Sequence, residues 1–404
     1  MFVEGTQSTR EILLIVEAEI ATVQLITQVL SHLERDGELS WRMRSVAEVT
    51  ADDLGADTFP LIVRSCNHAA FLLSTRLRAS GIPFGFYLDD NFWAIEPTTE
   101  LGRYYAAPRT RRQLEAIVRG ADIVIAATDP LREYLMRYTS RVVQLDSFYD
   151  FGLASAQLDP PPKRATIRGG FAASLHRGDD LSQILPAVLA ALERHDHLEF
   201  EVIGAEIPGL PEDARIRCFP YQESYVDYTR FQLSRQWDFG LAPLGPAASN
   251  RYKTDNKYRE YAALGIAGIY QDAPPYAKVE DGVTGVLAGG ERSWDEAIGL
   301  LVGDGALRQS IRDHARRDAE ERVSLAAVAP RWGAVLRSAP TIGERTERLE
   351  RFRALGRAHL VPRMRERFAV LVRLAGAEYA TNGLMSTVRR TGRFLLASLR
   401  GRRR

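Results

Sequence analysis

Short, unbroken apolar runs separated by stretches of helical spacing recur along this 404-residue chain, and they restrict its fold more than any other feature. Successive side chains of a strand point to opposite faces, so a run that is apolar at every position must be covered on both sides. ILLIV at 12–16, FPLIV at 59–63, GIPFGFYL at 81–88 and DIVIA at 122–126 are such runs. Between them, 22–33, 69–79 and 109–119 carry apolar residues at helical spacing. The prolines at 160–162 can continue neither a helix nor a ladder, and after them the alternation restarts. TIRGGF at 166–171 precedes a helical stretch at 181–193, and LEFEVI at 198–203, IRCF at 216–219, FGLAP at 239–243, IAGIY at 266–270 and GVL at 285–287 follow. Strands alternating with helices predict parallel sheets clad on both faces. The chain therefore reads as two doubly wound α/β halves, 1–155 and 163–340, and a third segment at 341–404. No repeat of 20–50 residues is visible, which excludes a solenoid. Ligands of open α/β sheets sit beyond the carboxyl ends of the strands, so two facing halves predict a site in the cleft between them.

The densest chemistry lies in KTDNKYREYAALG at 253–265. Thr254, Asp255 or Asn256 can cap the start of a short helix, and Gly265 supplies a left-handed stop. A helix start attracts anions through its free N–H groups and its dipole. Lys257 in the first turn and Lys253 just before it make this a candidate diphosphate cradle; otherwise both are solvated surface lysines. Glu260, three residues on and on the same helical face, either accepts hydrogen bonds from sugar hydroxyls or is the plain partner of Lys257.

Composition narrows the classes. At 45% hydrophobic and 26% charged residues the chain has ordinary soluble globular composition. Cys66 and Cys218 are far apart and follow no CxxC spacing, which argues against a disulfide or metal framework and suits a reducing cytoplasm. The run at 12–16 is too short for a signal peptide, and no stretch approaches the roughly 18 apolar residues of a membrane span. No dinucleotide GxGxxG, Walker loop, GxSxG elbow or metal-ligand cluster is present, so no metal and no cofactor is expected.

Charge is uneven. Sixteen arginines, no lysine and five glutamates fall in 341–404, an excess of 11 positive charges; with the whole chain at +1, the first 340 residues carry −10. Val361, Met364, Phe368, Leu371, Val372 and Ala375 recur at helical spacing, as do Leu384, Val388, Leu395 and Leu399 among Arg389, Arg390, Arg393 and Arg400. This reads as a basic amphipathic helical extension whose residues 380–404 meet an anionic membrane surface, at about 1 kcal/mol per basic residue near the lipid. The alternative is a pair of helices packed on the body with a frayed basic end. No nucleic-acid module accompanies the arginines, so nucleic acid is not an expected partner.

Five segments of the second half, taken in order, resemble the donor-binding domain of GT-B glycosyltransferases of the family-4 (group 1) type. They are GGFAASLHRGDD at 169–180, EVIG at 201–204, WDFGLAPL at 237–244, KYREYAALG at 257–265 and VEDGVTGVL at 279–287; the fourth is similar to the family's K-x-x-E-Y/F-x-A-x-G signature. In the first half YLDDNFW at 87–93 and GADIVIAAT at 120–128 resemble a branch of the same enzymes. The resemblance covers about 60–335. It implies two Rossmann-like domains facing across a cleft, and metal-independent transfer of a sugar from a nucleotide-diphosphate donor to a glycan or lipid-linked acceptor. The family's habits and the basic extension suggest surface polysaccharide assembly, by a cytoplasmic protein peripheral on the inner face of the plasma membrane.

The resemblance also assigns donor roles: Lys257 and Lys253 to the diphosphate, and Glu260, as the second member of the family's glutamate pair, to ribose hydroxyls. Tyr252 stands where the first glutamate would be. In the loop after the first strand of the second half, Gly170, Ser174 and Arg177 are donor candidates; Arg177 either reaches a phosphate oxygen or caps the turn at Asp179 and Asp180. In the first half Asp89 and Asp90 follow a strand that ends at the expected cleft. They either orient or deprotonate an acceptor hydroxyl, or are turn formers. His68 is a second acceptor-side candidate with a structural alternative, and Glu17 a similar one. Retaining members of the family need no dedicated base. The competing functional class is a non-catalytic GT-B-like binding or assembly subunit; a phosphatase or sugar-nucleotide epimerase ranks third.

Overall fold

The computed structural model describes residues 10–18, 20–155, 164–173, 177–222, 224–343 and 345–358. Twelve strands among them form two six-stranded, wholly parallel sheets. The first contains β1 (Glu11–Val16), β2 (Ser40–Ser45), β3 (Thr58–Val63), β4 (Gly85–Leu88), β5 (Ile123–Ala126) and β6 (Val142–Gln144) in the order β2-β1-β3-β4-β5-β6. The second contains β7 (Ile167–Ala172), β8 (Leu198–Ile203), β9 (Ile216–Phe219), β10 (Phe239–Ala242), β11 (Ala267–Gln271) and β12 (Val286–Ala288) in the order β12-β11-β10-β7-β8-β9. Both are doubly wound. The order in which strands are added reverses between β1 and β3 in one sheet and between β7 and β10 in the other, and such switch points open crevices at the carboxyl ends of the strands.

Every continuous apolar run of the sequence becomes a strand. β3 and β4 are buried throughout, and β1 at all but its first residue. β2 and β6, the two edge strands of the first sheet, carry no such run. β2 sets Trp41 and Met43 alternately with Arg42 and Arg44 and is only half-buried, while β6 is three residues long. An edge strand has a wet side, so it lacks the apolar continuity that marks its neighbours.

The chain crosses back to the first half after the second sheet. The helix Leu325–Ser338 packs on the first half: Val328, Ala329, Trp332 and Leu336 share a core with Leu30, Leu33, Phe59 and Tyr87. The Trp332 indole N–H donates to the Asp146 carbonyl at 3.1 Å. Ile342, Leu349 and Phe352 then join the opposite face of the same sheet, among Leu73, Leu77, Ile82 and Phe84. A sequence shows that such a helix has an apolar stripe, not which sheet the stripe will cover. The extension at 341–404 therefore begins as part of the first half's core; residues 359–404, including the membrane-binding candidate 380–404, lie outside the described residues. Among the described residues no helix is long and apolar enough to cross a membrane.

Candidate active site

A cavity of about 460 Å³ lies between the two halves, where the carboxyl ends of both sheets face each other. Arg64, Asp89, Asp90 and Thr22 line it from the first half, and Arg177, Asp180, Tyr228, Lys253, Lys257 and Glu260 from the second.

The second-half wall is built on the helix Asn256–Ala263. Its end follows the expected pattern. Gly265 is left-handed (φ 66°), Ile266 N–H bonds the Tyr261 carbonyl at 2.9 Å and Gly265 N–H the Ala262 carbonyl at 3.4 Å, which together satisfy the last carbonyls. Its start differs from expectation. Asp255 stands at the N-cap but makes no capping bond, and instead pairs with Arg259 at 2.9 Å. Arg259 is buried and also donates to the Phe148 carbonyl at 3.1 Å, tying the helix to the linker from the first half. The first N–H groups of this helix are thus without a side-chain cap at the mouth of the cavity, where Asn256 and Thr254 line the wall.

Lys257 is the second residue of this helix, with 21% of its side chain exposed. Its ammonium is 2.9 Å from both carboxylate oxygens of Glu260 and 2.9 Å from the Tyr228 hydroxyl, with the Tyr228 and Tyr261 rings 5.4 and 5.8 Å away. Burial pushes the lysine pKa down, Glu260 opposes that shift, and Arg177 adds to it. The Tyr228 hydroxyl donates to Glu260 as well. A carboxylate offers about four lone-pair sites, so Lys257 and Tyr228 occupy most of those on Glu260. A hydroxyl ligand here shares the carboxylate with them.

On the first-half wall Asp89 and Asp90 follow β4 directly. Asp89 accepts from the Thr22 hydroxyl at 2.6 Å and from the Arg64 guanidinium. Its carboxyl is pushed up, chiefly by burial, against the pull of Arg64 and with the push of Asp90. Asp90 is a third exposed, 3.3 Å from Arg64 and 3.9 Å from Lys253 across the cleft. Asp89 is therefore the anchored member of the pair, and Asp90 is the one with room for an acceptor.

Arg64 was not singled out by sequence. It follows β3 with φ 54°, a left-handed conformation unusual for a residue with a Cβ, and this turn brings its guanidinium to both aspartates and to 5.1 Å from the Phe92 ring. Its only sequence signal is a basic residue placed directly after a buried strand. Tyr228 and Thr22 were likewise missed, for they reach the cavity from helices whose facing the sequence leaves open.

The cavity thus gathers Asp89, Asp90, Arg177, Lys253, Lys257 and Glu260 of the sequence candidates. Arg177 pairs with Asp180, whose other oxygen accepts the Gly245 N–H at 2.8 Å, so it both caps that turn and faces the cavity. Ser174 lies outside the described residues. Gly170 is not a loop residue: it sits within β7, and a Cβ there would lie 2.1 Å from the Trp237 ring, so this glycine makes room for an indole rather than for a ligand. His68 does not line the cavity. It begins the helix His68–Ala79, with its Nδ1 3.1 Å from the Gln113 amide and its ring stacked on Phe71. Glu17 is exposed just beyond β1. Burial pushes the Cys66 thiol up to about 12, so it is a protonated core residue rather than a nucleophile. Among the described residues no group of three or more His, Cys, Asp or Glu is arranged to hold a metal ion.

Tyr252 takes a different part. It belongs to the short 3-10 turn Ala248–Tyr252, packs edge-on against Tyr134 of the first half with centroids 5.6 Å apart, and its carbonyl accepts from the Thr128 hydroxyl at 3.0 Å. The position is spent on joining the two halves.

Neither a family model nor a curated protein sequence matches the chain. Its arrangement is nonetheless similar to solved structures. HepE from Anabaena, in complex with UDP, aligns with a TM-score of 0.58 at 12% identity, over 81% of this chain and 100% of that one. A trehalose-6-phosphate synthase aligns at 0.57 and 13% identity, over 81% and 99% of the two chains. The sucrose-phosphate synthase of Thermosynechococcus elongatus aligns at 0.56 and 14%, over 81% and 98%. At such identities the likeness is one of fold: two α/β domains facing across a cleft, the GT-B arrangement.

Proposed function

We propose that this chain is a glycosyltransferase that moves a sugar from a nucleoside-diphosphate donor held by the second domain to an acceptor presented by the first. One observation carries the reading. Lys253, Lys257, Arg177 and the uncapped start of the helix Asn256–Ala263 converge on one cavity, opposite the carboxylates of Asp89 and Asp90 on the other sheet. Cations and free N–H groups at a helix start suit a diphosphate. Each of these cations has a carboxylate neighbour, so donor binding exchanges partners rather than neutralising free charge. The loosest of the pairs, Lys253 with Asp90, spans the cleft. A diphosphate that draws Lys253 away frees Asp90 to orient an acceptor hydroxyl. Glu260 receives the ribose hydroxyls.

The acceptor is a glycan or lipid-linked glycan in surface polysaccharide assembly, with residues 380–404 holding the protein to the inner face of the membrane. No metal takes part. Proteins of similar fold have been solved with UDP and with UDP-glucose, which makes these the first ligands to try. Calorimetric titration with UDP-sugars, followed by a transfer and hydrolysis assay, tests the reading; no nucleoside diphosphate or nucleotide sugar binding at all would overturn it. The placement of Tyr252 favours one second reading, a binding or assembly subunit that lacks the sugar-side carboxylate. That reading requires donor binding with neither transfer nor hydrolysis.

A further inference from the structure

The sheet edge opposite the cleft carries a second charged cavity, of about 490 Å³, that the transfer reading does not use. It lies where β4, β5 and β6 begin, with Pro83 and Gly120 in its wall. Among the described residues its charged lining is Arg78, Arg119, Arg141 and Arg348 against one carboxylate, Asp122. These arginines come from separate elements: the helix His68–Ala79, the helix Pro108–Gly120, the residue before β6, and the helix Arg345–Ala358 that packs back from the C-terminal side. No single charged helix face accounts for them.

The local partners do not use the available charge. Asp122 accepts the Phe84 N–H at 3.0 Å and stands 3.8 Å from Arg141. Arg141 donates to the Arg119 carbonyl at 2.9 Å, Arg119 lies 5.2 Å from the Tyr138 ring, and Arg348 donates to the Ile342 carbonyl. Among the described residues nothing pairs with the Arg78 guanidinium. Each guanidinium has five N–H donors in a planar fork, so most of the donors around this concavity have no partner among the described residues. Carbonyls and a ring hold Arg119, Arg141 and Arg348 in place, and Asp122 offsets Arg141 alone.

We propose that this pocket binds a phosphate group, carried either by an anionic lipid headgroup or by a soluble phosphate compound. Paired planar donors match phosphate geometry, and four converging arginines repel one another unless an anion is shared. In sequence, the helix bearing Arg348 runs on into the arginine-rich residues 359–404.

The test uses the full chain with R78E/R141E, two exposed residues outside the cleft, and R78Q/R141Q as the milder form should the first fail to fold. A control with the same charge change on the second half is R230E/R317E. Each protein is sedimented with vesicles of phosphatidylcholine alone and of phosphatidylcholine and phosphatidylglycerol in equal parts, and titrated calorimetrically with inorganic pyrophosphate. At about fivefold per basic residue near a lipid surface, neutralising two arginines in R78Q/R141Q lowers anionic-vesicle partition about 25-fold, and the charge reversal in R78E/R141E lowers it further. Vesicle binding lost in the pocket variants but not in the control identifies a headgroup. Pyrophosphate uptake lost with vesicle binding intact identifies a soluble phosphate; uptake by the cleft is common to all the proteins and cancels. No loss in either measurement, or an equal loss in the control, overturns the proposal.

Discussion

Replacing Lys257 with methionine separates two consequences that the structure ties together. The ammonium holds Glu260 and Tyr228 at 2.9 Å, and the donor reading makes it a phosphate ligand as well. A hydrogen bond to a charged group contributes about 1.5–3 kcal/mol, so Lys257→Met is expected to weaken UDP binding by about 13- to 160-fold. The fold suffers separately. Removing one partner of a buried ion pair costs about 3–5 kcal/mol, and because 21% of the lysine side chain is exposed, a value near the lower end, about 3 kcal/mol, is expected. Tyr228 still donates to Glu260, which limits the loss further. Adding Glu260→Gln removes the uncompensated carboxylate, so the double variant regains most of the stability while donor affinity stays low. Urea denaturation reads the first effect and calorimetry with UDP the second. UDP binding within twofold of wild type in a folded Lys257→Met protein refutes the donor role, and a double variant no more stable than the single one refutes the unpaired-charge argument.

Three further outcomes follow from other parts of the molecule. The pH dependence of UDP binding carries the signature of Lys257: a diphosphate favours the charged amine, so affinity is full below the lysine's folded pKa and falls as pH rises through it. Burial sets that pKa below the ordinary lysine range, with Glu260 opposing and Arg177 adding; an identical fall in Lys257→Met would show that another group is responsible. Gly170→Ala puts a methyl group 2.1 Å from the Trp237 ring and should cost about 1–3 kcal/mol of stability while leaving UDP affinity of the folded protein unchanged, and the converse pattern would return Gly170 to the donor site. Trp332→Ala empties a site packed against Tyr87 at 5.7 Å, and should destabilise the protein by about 3–5 kcal/mol in denaturant titration; a loss below about 1 kcal/mol means that the crossover helix is not integral to the first half.

The apolar runs and the glycine stop at 265 were legible because they follow from local rules. A strand covered on both faces must be apolar at every position, and a helix ending on a left-handed residue takes glycine most easily. The edge strands of the first sheet, β2 and β6, carry no continuous apolar run because they are only partly buried. Gly170 and His68 are ambiguous in sequence for a different reason. A glycine in a strand and a histidine at a helix start each have a packing use and a ligand use that look alike in sequence, and only the neighbouring Trp237 ring and Gln113 amide tell them apart.

By itself, then, the sequence determined the number and type of the sheets, the helix that carries Lys257 and Glu260, and the concentration of arginine toward the C-terminal end, all of which depend on residues near one another in the chain. Only the tertiary structure decided which long-range partners meet. The turn at Arg64 and the end of β4 bring a guanidinium to Asp89 and Asp90, the packing of two domains sets Lys253 opposite Asp90, and Tyr252 is drawn to Tyr134. The return of the helix Leu325–Ser338 to the first sheet belongs to the same class. An apolar stripe or a charged side chain specifies the chemistry of its partner but not its identity, and choosing among many chemically equivalent partners takes the whole fold.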